Sequence, residues 1–394
     1  RGGGIDADPS IKEPTGMVET TYLDHNATTP ARPEVITAVG EVMALTGANP
    51  SSVHGFGRDA RKRIENARMV IAALVNAKSN EVIFTGGGSE ADNLAIMGSG
   101  RKRLITAETE HSAVLKTVLL RTGNSHLIPV DDQGVVNLKV LEDRLSADDD
   151  PALVCVMAAN NETGVLQPIR EVADIAHAHG ALVLCDAVQA AGKIEVNFSA
   201  WEVDYMALSA HKIGGPQGIG VLVRREGAPL RSLLTGGGQE RGLRAGTENV
   251  AGIVGFGVAA QIATDRWLDT GAQLAVYRDE LERRVLELSP GSEIFSARAP
   301  RLPNTSNFSL PGVRSDTQVM NLDLDGVAVS AGSACSAGKV EPSHVLDSMT
   351  VDPEIAATAL RVSFGWNSKA EDVDAFINSW RKMVHVDAGQ ETAA

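Results

Sequence analysis

The first candidate for chemistry in this sequence is a lysine beside a glycine-rich turn. Lys212 lies in DYMALSAHKIGGPQGIGVL (204–222), where it follows an apolar strand and precedes several glycines. A lysine placed there is partly desolvated, which lowers the pKa of its amine and makes it a capable nucleophile. Ser209 and His211 supply short hydrogen-bonding side chains next to it. The competing interpretation is a surface lysine in an ordinary turn, where most lysines lie.

A second candidate is an anion site in FTGGGSEADN (84–93). The pattern predicts a strand, a glycine-rich turn and a helix start, where backbone amides converge and the helix dipole favours negative charge. Ser89 adds a hydroxyl. The spacing is neither GxGxxG nor GxxxxGK[ST], so neither dinucleotide nor Walker-type binding is supported. A single phosphate, as on pyridoxal 5′-phosphate, suits so compact a cradle, and a plain tight turn is the rival interpretation.

Other polar residues follow predicted strands in the same way. Asp186 in VLCDAVQAAGK ends an apolar strand, where its carboxylate could pair with the ring nitrogen of a pyridine or simply cap a helix. His111 in TEHSAV begins a helix, so it either faces the same cleft as the lysine or only starts that helix. Asn161 follows the apolar CVMAA and presents an amide.

The strand ends taken together predict one site. Ligands of open α/β sheets bind at the carboxyl edge of the strands. Residues at that edge supply an amine, a phosphate cradle, a ring-nitrogen partner and a ring-face neighbour, which are the parts that a Schiff-base cofactor needs. The residues are Ser89, His111, Asn161, Asp186 and Lys212.

A third feature is a cysteine in VSAGSACSAG (329–338). Buried cysteines behave as small hydrophobes among other hydrophobes, but Cys335 has only Ala, Ser and Gly nearby. We therefore expect a mobile, accessible thiol there. Cys155 and Cys185 lie inside apolar strands, and we expect them to be buried packing residues.

The composition of the chain argues against several classes of protein. The chain has 394 residues and a net charge of −14, and it contains no apolar run of about 18 residues, so we expect no membrane span. Its basic clusters are short, which argues against direct nucleic-acid binding. Three cysteines far apart, with no CxxC pair, predict no disulfide, no metal in the catalytic site and a reducing, cytoplasmic location.

The order of patterns predicts two domains. From about residue 80, short apolar strands alternate with helical segments, which indicates a largely parallel sheet covered by helices on both faces. After about residue 265 come a long amphipathic helix and shorter strands. We expect residues 1–16 to be a flexible leader or cloning remnant and 32–270 to be a large cofactor-binding domain. Residues 17–31 with 271–394 would form a small α+β domain that carries the mobile Cys335 loop.

Ordered motifs across the chain resemble one family, the NifS/IscS-type cysteine desulfurases of the class V aminotransferase fold. The resemblance runs from about residue 21 to 384. The motifs are YLDHNATTP, NPSSVHGFGRDAR, FTGGGSEADN, TEHSAV, NNETGVLQPI, DAVQAAGK, SAHKIGGPQGIG, GGGQERGLRAGTENV, GSACSAG, PSHVL and LRVSFG.

The resemblance implies a fold and an activity. The fold is the type I, aspartate-aminotransferase-like, pyridoxal-phosphate-dependent transferase fold, with a mostly parallel seven-stranded sheet in the large domain and a smaller α+β C-terminal domain. The activity is removal of sulfur from L-cysteine by a homodimer, which leaves L-alanine and an enzyme persulfide on Cys335. The alternatives are an aminotransferase or lyase of the same fold, and a non-catalytic binding protein with a relic site.

The resemblance also implies residue roles. Lys212 would hold the cofactor covalently, Asp186 would pair with the pyridinium nitrogen, Gln189 would contact the ring hydroxyl, and His111 would stack on the ring and help to move protons. Asn161 and Arg361 would hold the substrate carboxylate. The phosphate ligands would be Gly88, Ser89, Ser209 and His211, with Thr247 from the partner subunit.

The loop that carries Cys335 and two residues that differ from the usual family pattern also bear on the resemblance. GSACSAGKVEPSHVL resembles the longer loop of group I enzymes, which favours handover of sulfur to an iron–sulfur scaffold or another acceptor protein. Ser89 stands where threonine is common in the family, and Gln217 stands where lysine is frequent. The intact set of Lys212, Asp186, His111 and Arg361 argues against a relic site.

Overall fold

The computed structural model describes residues 20–47, 49–121, 124–331 and 343–390, with backbone only for 385–390. The strands are β1 Thr21–Tyr22, β2 Val82–Thr85, β3 Arg103–Ala107, β4 Ser125–Ile128, β5 Ala152–Cys155, β6 Leu182–Asp186, β7 Tyr205–Ser209, β8 Gly220–Arg224, β9 Thr305–Ser309, β10 Val327–Ala328, β11 Ser330–Ala331 and β12 Ala359–Ser363. The helices are α1 Pro33–Met43, α2 Gly55–Leu74, α3 Gly88–Gly98, α4 Ser112–Leu119, α5 Leu138–Ser146, α6 Ile169–Ala178, α7 Phe198–Trp201, α8 Val250–Leu288, α9 Ser315–Leu324, α10 His344–Ser348, α11 Pro353–Ala356 and α12 Ala370–Gln390.

The large sheet has the strand order β2-β8-β7-β6-β5-β3-β4, and only β8 runs antiparallel to its neighbours. Helices cover both faces, and the continuous apolar strands are buried on each side, as parallel sheets require. The prediction of a mostly parallel seven-stranded sheet is confirmed. Strands β2, β3, β5, β6 and β7 all end at the same edge, so the segments that follow them meet there.

A smaller set of strands forms a second core. Strands β11, β12 and β9 make an antiparallel sheet, while β1 pairs in parallel with β10. Aromatic side chains fill this core: the Trp380 ring lies 5.9 Å from Phe308 and 6.2 Å from Phe376. The N-terminal strand therefore belongs with the C-terminal strands in space.

Helix α8 joins the two cores without a break. Its first half packs against α1 and α2, and Leu274, Leu281 and Val285 of its second half lie in the small core. The Asn249 side chain caps it by accepting from the Gly252 amide at 3.0 Å. The predicted boundary at 270/271 falls inside this helix, because composition changes there while helical periodicity continues.

The loop after β1 crosses from the small core to the large sheet. The His25 amide donates to the Ser363 carbonyl of β12 at 3.2 Å, and the Thr29 amide donates to the His211 carbonyl at 2.9 Å. The loop therefore lies across the carboxyl edge of the large sheet. Among the described residues, no helix combines the length and apolar character needed to cross a membrane.

Replacing Trp380 with Ala tests the small core. Trp380 is fully buried, and its indole nitrogen donates to Gln318 Oε1 at 3.2 Å. We expect Trp380→Ala to lower the free energy of unfolding by about 3–5 kcal/mol, because it removes a large packed ring and leaves a cavity. Urea denaturation measures the change, and the exposed Met320→Ala on α9 is the control. A loss below about 1 kcal/mol would contradict the packing described here.

Candidate active site

A cavity of about 330 Å³ lies at the carboxyl edge of the large sheet. The crossing loop contributes Asn26 and Ala27 to it, and β12 of the small sheet contributes Arg361. Most residues singled out in the sequence meet here. They are Gly88, Ser89, His111, Asn161, Asp186, Gln189, Ser209, His211, Lys212 and Arg361.

Two predicted site residues are not in this group. Thr247 is exposed, on the segment that precedes α8, and does not line the cavity. Cys335 lies outside the described residues.

Lys212 is positioned by the turn that follows β7. A short 3₁₀ turn, Ala210–Lys212, directs the half-buried side chain toward the crossing loop. Its amine donates to the Asn26 carbonyl at 2.5 Å and to the Ala27 carbonyl at 2.8 Å. Gly214 follows with φ of +82°, and a Cβ there would lie 2.9 Å from the Arg32 side chain, so this turn needs glycine. The amine is therefore fixed inside the cleft.

Asp186 ends β6 and is buried. One oxygen accepts from the Val188 amide at 2.9 Å, and the residue lines the cavity. Burial raises the pKa of this carboxyl above its ordinary value, while His111, the Val188 amide and Lys212 act in the opposite direction. The position suits a cationic partner, since a buried carboxylate is stabilised by pairing.

His111 serves both of the roles considered for it. It is the N-cap of α4, with Nδ1 accepting from the Ala113 amide at 3.2 Å, and it also lines the cavity. Burial lowers the pKa of His111, and Lys212 adds to this effect while Asp186 opposes it. Because Nδ1 is an acceptor, the neutral ring carries its proton on Nε2.

The start of α3 has the geometry that the sequence predicts for an anion cradle. The first hydrogen bond of this helix runs from the Ala91 amide to the Gly87 carbonyl, so the amides of the preceding turn have no partner within the helix. A Cβ at Gly88 would lie 2.8 Å from Val188 Cγ2, which requires glycine at the closest approach. Ser209 is buried opposite, beside His211. Burial and the neighbouring lysines lower the pKa of His211 to about 4.

Arg361 is already held by the protein. Its guanidinium pairs with Asp24 Oδ1 at 2.6 Å and donates to the Asn161 carbonyl at 3.0 Å, and the residue is 2% exposed. Its Nε atom has no hydrogen-bond partner among the described residues. The crossing loop and the segment after β5 thus orient the Arg361 guanidinium toward the cleft.

Two carboxyl groups lie behind Asp186. Asp92 and Glu110 are fully buried, and burial together with the charge of Asp186 raises the pKa of both well above their usual range. Glu110 accepts from the Met157 amide at 2.6 Å. Burial therefore disfavours the charged form of both groups, whereas His111 and Lys212 favour the charged form of Asp186. Among the described residues, no cluster of three or more His, Cys, Asp or Glu residues has the arrangement of a metal site.

Asn26 is a central residue that the sequence patterns do not single out. Its carbonyl accepts from Gln189 Nε2 at 2.9 Å as well as from Lys212, and its side chain donates to Thr305 Oγ1 at 2.9 Å. The only signal in the sequence is that Asn26 belongs to the motif YLDHNATTP, and the motif does not indicate what Asn26 does. Cys155 and Cys185 are buried, as predicted, and burial raises the pKa of both thiols.

His25 packs beneath the loop. Its ring is 1% exposed, and neither ring nitrogen has a hydrogen-bond partner among the described residues. A Cβ at Gly365 would lie 1.9 Å from His25 Nδ1, so Gly365 makes room for the ring. Burial lowers the pKa of His25 to about 3, with Lys193 adding to the effect.

The chain is similar to several known proteins. The family model for class-V aminotransferases matches residues 21–376. An IscS-like cysteine desulfurase of Mycobacterium tuberculosis is 42% identical over 368 residues, which cover 90% of this chain and 93% of that protein. A NifS-like protein from Rickettsia africae superposes with a TM-score of 0.87 at 33% identity, covering 93% and 99% of the two chains. A structure of SspA in complex with cysteine has a TM-score of 0.76 at 31% identity, covering 88% and 99%.

The buried neutral His25 predicts a pH dependence of stability. The unfolded chain binds a proton below the ordinary pKa of 6.5, whereas the folded chain does so only near 3. The stabilising contribution is therefore complete above about pH 6.5 and is lost as the pH falls toward 3. We expect the free energy of unfolding of the cofactor-free protein to fall between pH 6 and 4 by up to about 1.4 kcal/mol per pH unit more than in His25→Gln.

Urea denaturation at several pH values measures the two slopes. The exposed His179→Gln is the control and should keep the wild-type slope. Equal slopes in the wild type and His25→Gln would show that His25 is not buried in its neutral form.

Proposed function

The chain belongs to the class-V aminotransferase family, and from that premise we propose that it is a cysteine desulfurase that converts L-cysteine to L-alanine. The observation that carries this proposal is the meeting of the Lys212 amine, the Asp186 carboxylate and the α3 helix start in one cleft. Similarity to an IscS-like cysteine desulfurase and to SspA in complex with cysteine supports the activity and the substrate.

The residues present fit pyridoxal 5′-phosphate. The cavity volume of about 330 Å³ lies in the range typical of small-molecule sites. The buried Asp186 carboxyl lines the cavity, where it could pair with a cationic ring nitrogen. A Cβ at Gly88 would lie 2.8 Å from Val188 Cγ2, so glycine leaves the backbone at the start of α3 accessible to a phosphate. We assign Lys212 to hold the cofactor, Asp186 to its ring nitrogen and Gln189 to its ring hydroxyl. The phosphate ligands would be Gly88, Ser89, Ser209 and His211. When bound, the cofactor supplies an electron sink for the reacting carbon atoms.

The chain's own residues supply position and proton control. The Asn26 and Ala27 carbonyls hold the protons of Lys212 Nζ in a fixed direction. His111, with Nδ1 used in the helix cap, would donate from Nε2 and would stack on the ring of the cofactor. Arg361 and Asn161 would bind the carboxylate of L-cysteine, which orients the substrate before reaction.

Cys335 is the proposed acceptor of sulfur. Its thiolate attacks the substrate sulfur, so an S–S bond forms as the substrate Cβ–S bond breaks. The electron pair of the broken bond stays with the carbon, which gains a proton and becomes the methyl group of L-alanine. The persulfide then passes its terminal sulfur to an acceptor protein, either an iron–sulfur scaffold or another sulfur carrier. The free thiols of Cys155 and Cys185 support a reducing, cytoplasmic setting.

We also propose a homodimer through the outer face of α1 and α2. Soluble monomers seldom expose large contiguous apolar patches. On this face Met43 is 74% exposed and Phe56 is 62% exposed. The exposed apolar residues are Ile36, Met43, Leu45, Val53, Phe56 and Met69, with Leu233 and Leu234 on the segment before Thr247.

The segment that carries Thr247 is held rigidly, which suits a contact to the partner's phosphate. Glu240 and Arg241 both adopt positive φ, at 45° and 58°, which is strained for these residues. A buried ion pair sustains this conformation: the Arg68 guanidinium contacts both Glu240 oxygens at 2.7 and 2.8 Å. The exposed Thr247 is therefore presented outward on a fixed segment.

Replacing Cys335 with Ala tests the reaction. We expect Cys335→Ala to reduce sulfide release from L-cysteine to background, because the sulfur acceptor is lost. The visible absorbance of bound pyridoxal phosphate should persist, since Lys212 is intact. The buried Cys155→Ala is the control and should keep its activity. Full sulfide release by Cys335→Ala would favour the alternative of an aminotransferase or lyase without a persulfide.

Replacing Phe56 with Glu tests the dimer. A charge on the apolar face should convert the protein from two chains to one, measured by light scattering during size-exclusion chromatography. Loss of the partner's Thr247 should weaken cofactor binding by about tenfold. Leu120→Glu, at an exposed site after α4, is the control. A wild-type protein that elutes as one chain would overturn the dimer proposal.

A further inference from the structure

Lys193 is a second lysine beside the cleft with no role in the reaction described above. It follows Gly192, whose φ is +74° and where a Cβ would lie 2.9 Å from the Ile213 side chain, so the turn is tightly constrained. The residue is half-buried, and it lines a cavity of about 40 Å³ behind Lys212 rather than the main cleft. Burial, with Lys212 and Arg361, lowers the pKa of its amine well below the usual range.

The amine is held by two amide oxygens rather than by a carboxylate. Lys193 Nζ donates to Gln189 Oε1 at 2.8 Å and to Asn26 Oδ1 at 2.9 Å. Neutral or protonated, the Lys193 amine has at least two N–H donors for these two oxygens, whereas each amide could offer either its oxygen or its nitrogen. Lys193 therefore favours the orientation in which the oxygen of each amide faces it, and the carbonyls of Asn26 and Asn161, which only accept, favour the same orientation on the other side.

The orientation of each amide determines which hydrogen-bonding group it presents on the side away from Lys193. Gln189 Nε2 donates one proton to the Asn26 carbonyl at 2.9 Å, and its second proton remains to face the cleft. Asn26 Nδ2 donates to Thr305 Oγ1 at 2.9 Å and to the Asn161 carbonyl at 3.2 Å. The carbonyl that receives Gln189 is the same one that receives Lys212. The buried Lys193 amine thus reinforces the orientation of both the Gln189 and the Asn26 amides.

We propose that Lys193 is a positioning residue that fixes the Gln189 and Asn26 amides, so that Gln189 presents an N–H donor to the ring oxygen of bound pyridoxal phosphate. The inference rests on the proposed function, because it needs the cofactor in this cleft. Lys193 acts through Gln189 and Asn26, and it does not itself touch the cofactor.

The test uses a double-mutant cycle in the full-length protein. Lys193→Met keeps the length of the side chain but removes its donors, Gln189→Leu removes the amide, and the double variant combines them. Lys193→Arg is the rescue variant, because arginine also only donates and the cavity of about 40 Å³ gives it room. The exposed Lys139→Met is the matched control.

Two properties of pyridoxal phosphate binding are measured: its dissociation constant and the visible absorption band of the bound cofactor. We expect Lys193→Met to weaken binding by about tenfold and to shift the band in the same direction as Gln189→Leu does. Lys193→Arg should restore both properties. In the Gln189→Leu background, Lys193→Met should weaken binding by less than about threefold, because coupled residues are not additive.

Several results would overturn the inference. If Lys193→Met lowers the thermal stability of the cofactor-free protein but leaves the dissociation constant and the band unchanged, Lys193 has a purely structural role. If Lys193→Met weakens cofactor binding equally in the wild type and in the Gln189→Leu variant, Lys193 acts independently of Gln189. If Lys193→Met does not fold, Lys193→Gln replaces it, since glutamine can offer either end and does not enforce the orientation. A wild type that takes up no cofactor would instead overturn the proposed function, and this inference with it.

Discussion

Two hydrogen bonds from Lys212 Nζ to the carbonyls of Asn26 and Ala27 tie the reactive amine to a loop from the other core. The same loop is fixed to β12, where the Asn26 amide donates to Ser363 Oγ at 2.9 Å and Asp24 pairs with Arg361. An amine on the large sheet and a guanidinium on the small sheet are therefore positioned by one short segment. The group that we propose to hold the cofactor and the group that we propose to bind the substrate keep their separation because this segment connects them.

Burial decides which groups carry charge in the cleft. Burial raises the pKa of Asp92, Glu110 and Asp186, and the charge of Asp186 raises the pKa of the first two further. Asp186 alone has both His111 and Lys212 acting to lower its pKa, so it keeps its charge most readily. A cationic ring nitrogen beside Asp186 would lower the pKa of its carboxyl further. The two carboxyl groups behind it are structural neighbours rather than partners of the ring.

The sequence predicts the strand-end residues well because a simple geometric rule governs them. Successive parallel strands end at one edge, so Asp186 and Lys212 could be placed together from local patterns alone. Asn26 and Lys193 could not, since their contact joins residues 167 positions apart and no local pattern encodes it. The domain boundary near residue 270 was expected from a change in composition, but helix α8 continues through it. The roles of Arg361 and Thr247 come from family resemblance and not from spacing.

The most direct test of the central claim is to find which lysine bonds the cofactor. The protein is loaded with pyridoxal phosphate, reduced with borohydride and digested, and the modified peptide is identified by mass spectrometry. The geometry predicts a pyridoxyl-phosphate adduct on the peptide that contains Lys212, and none on the peptide that contains Lys193. An adduct on Lys193, or no adduct on either lysine, would contradict the assignment of Lys212 as the covalent anchor.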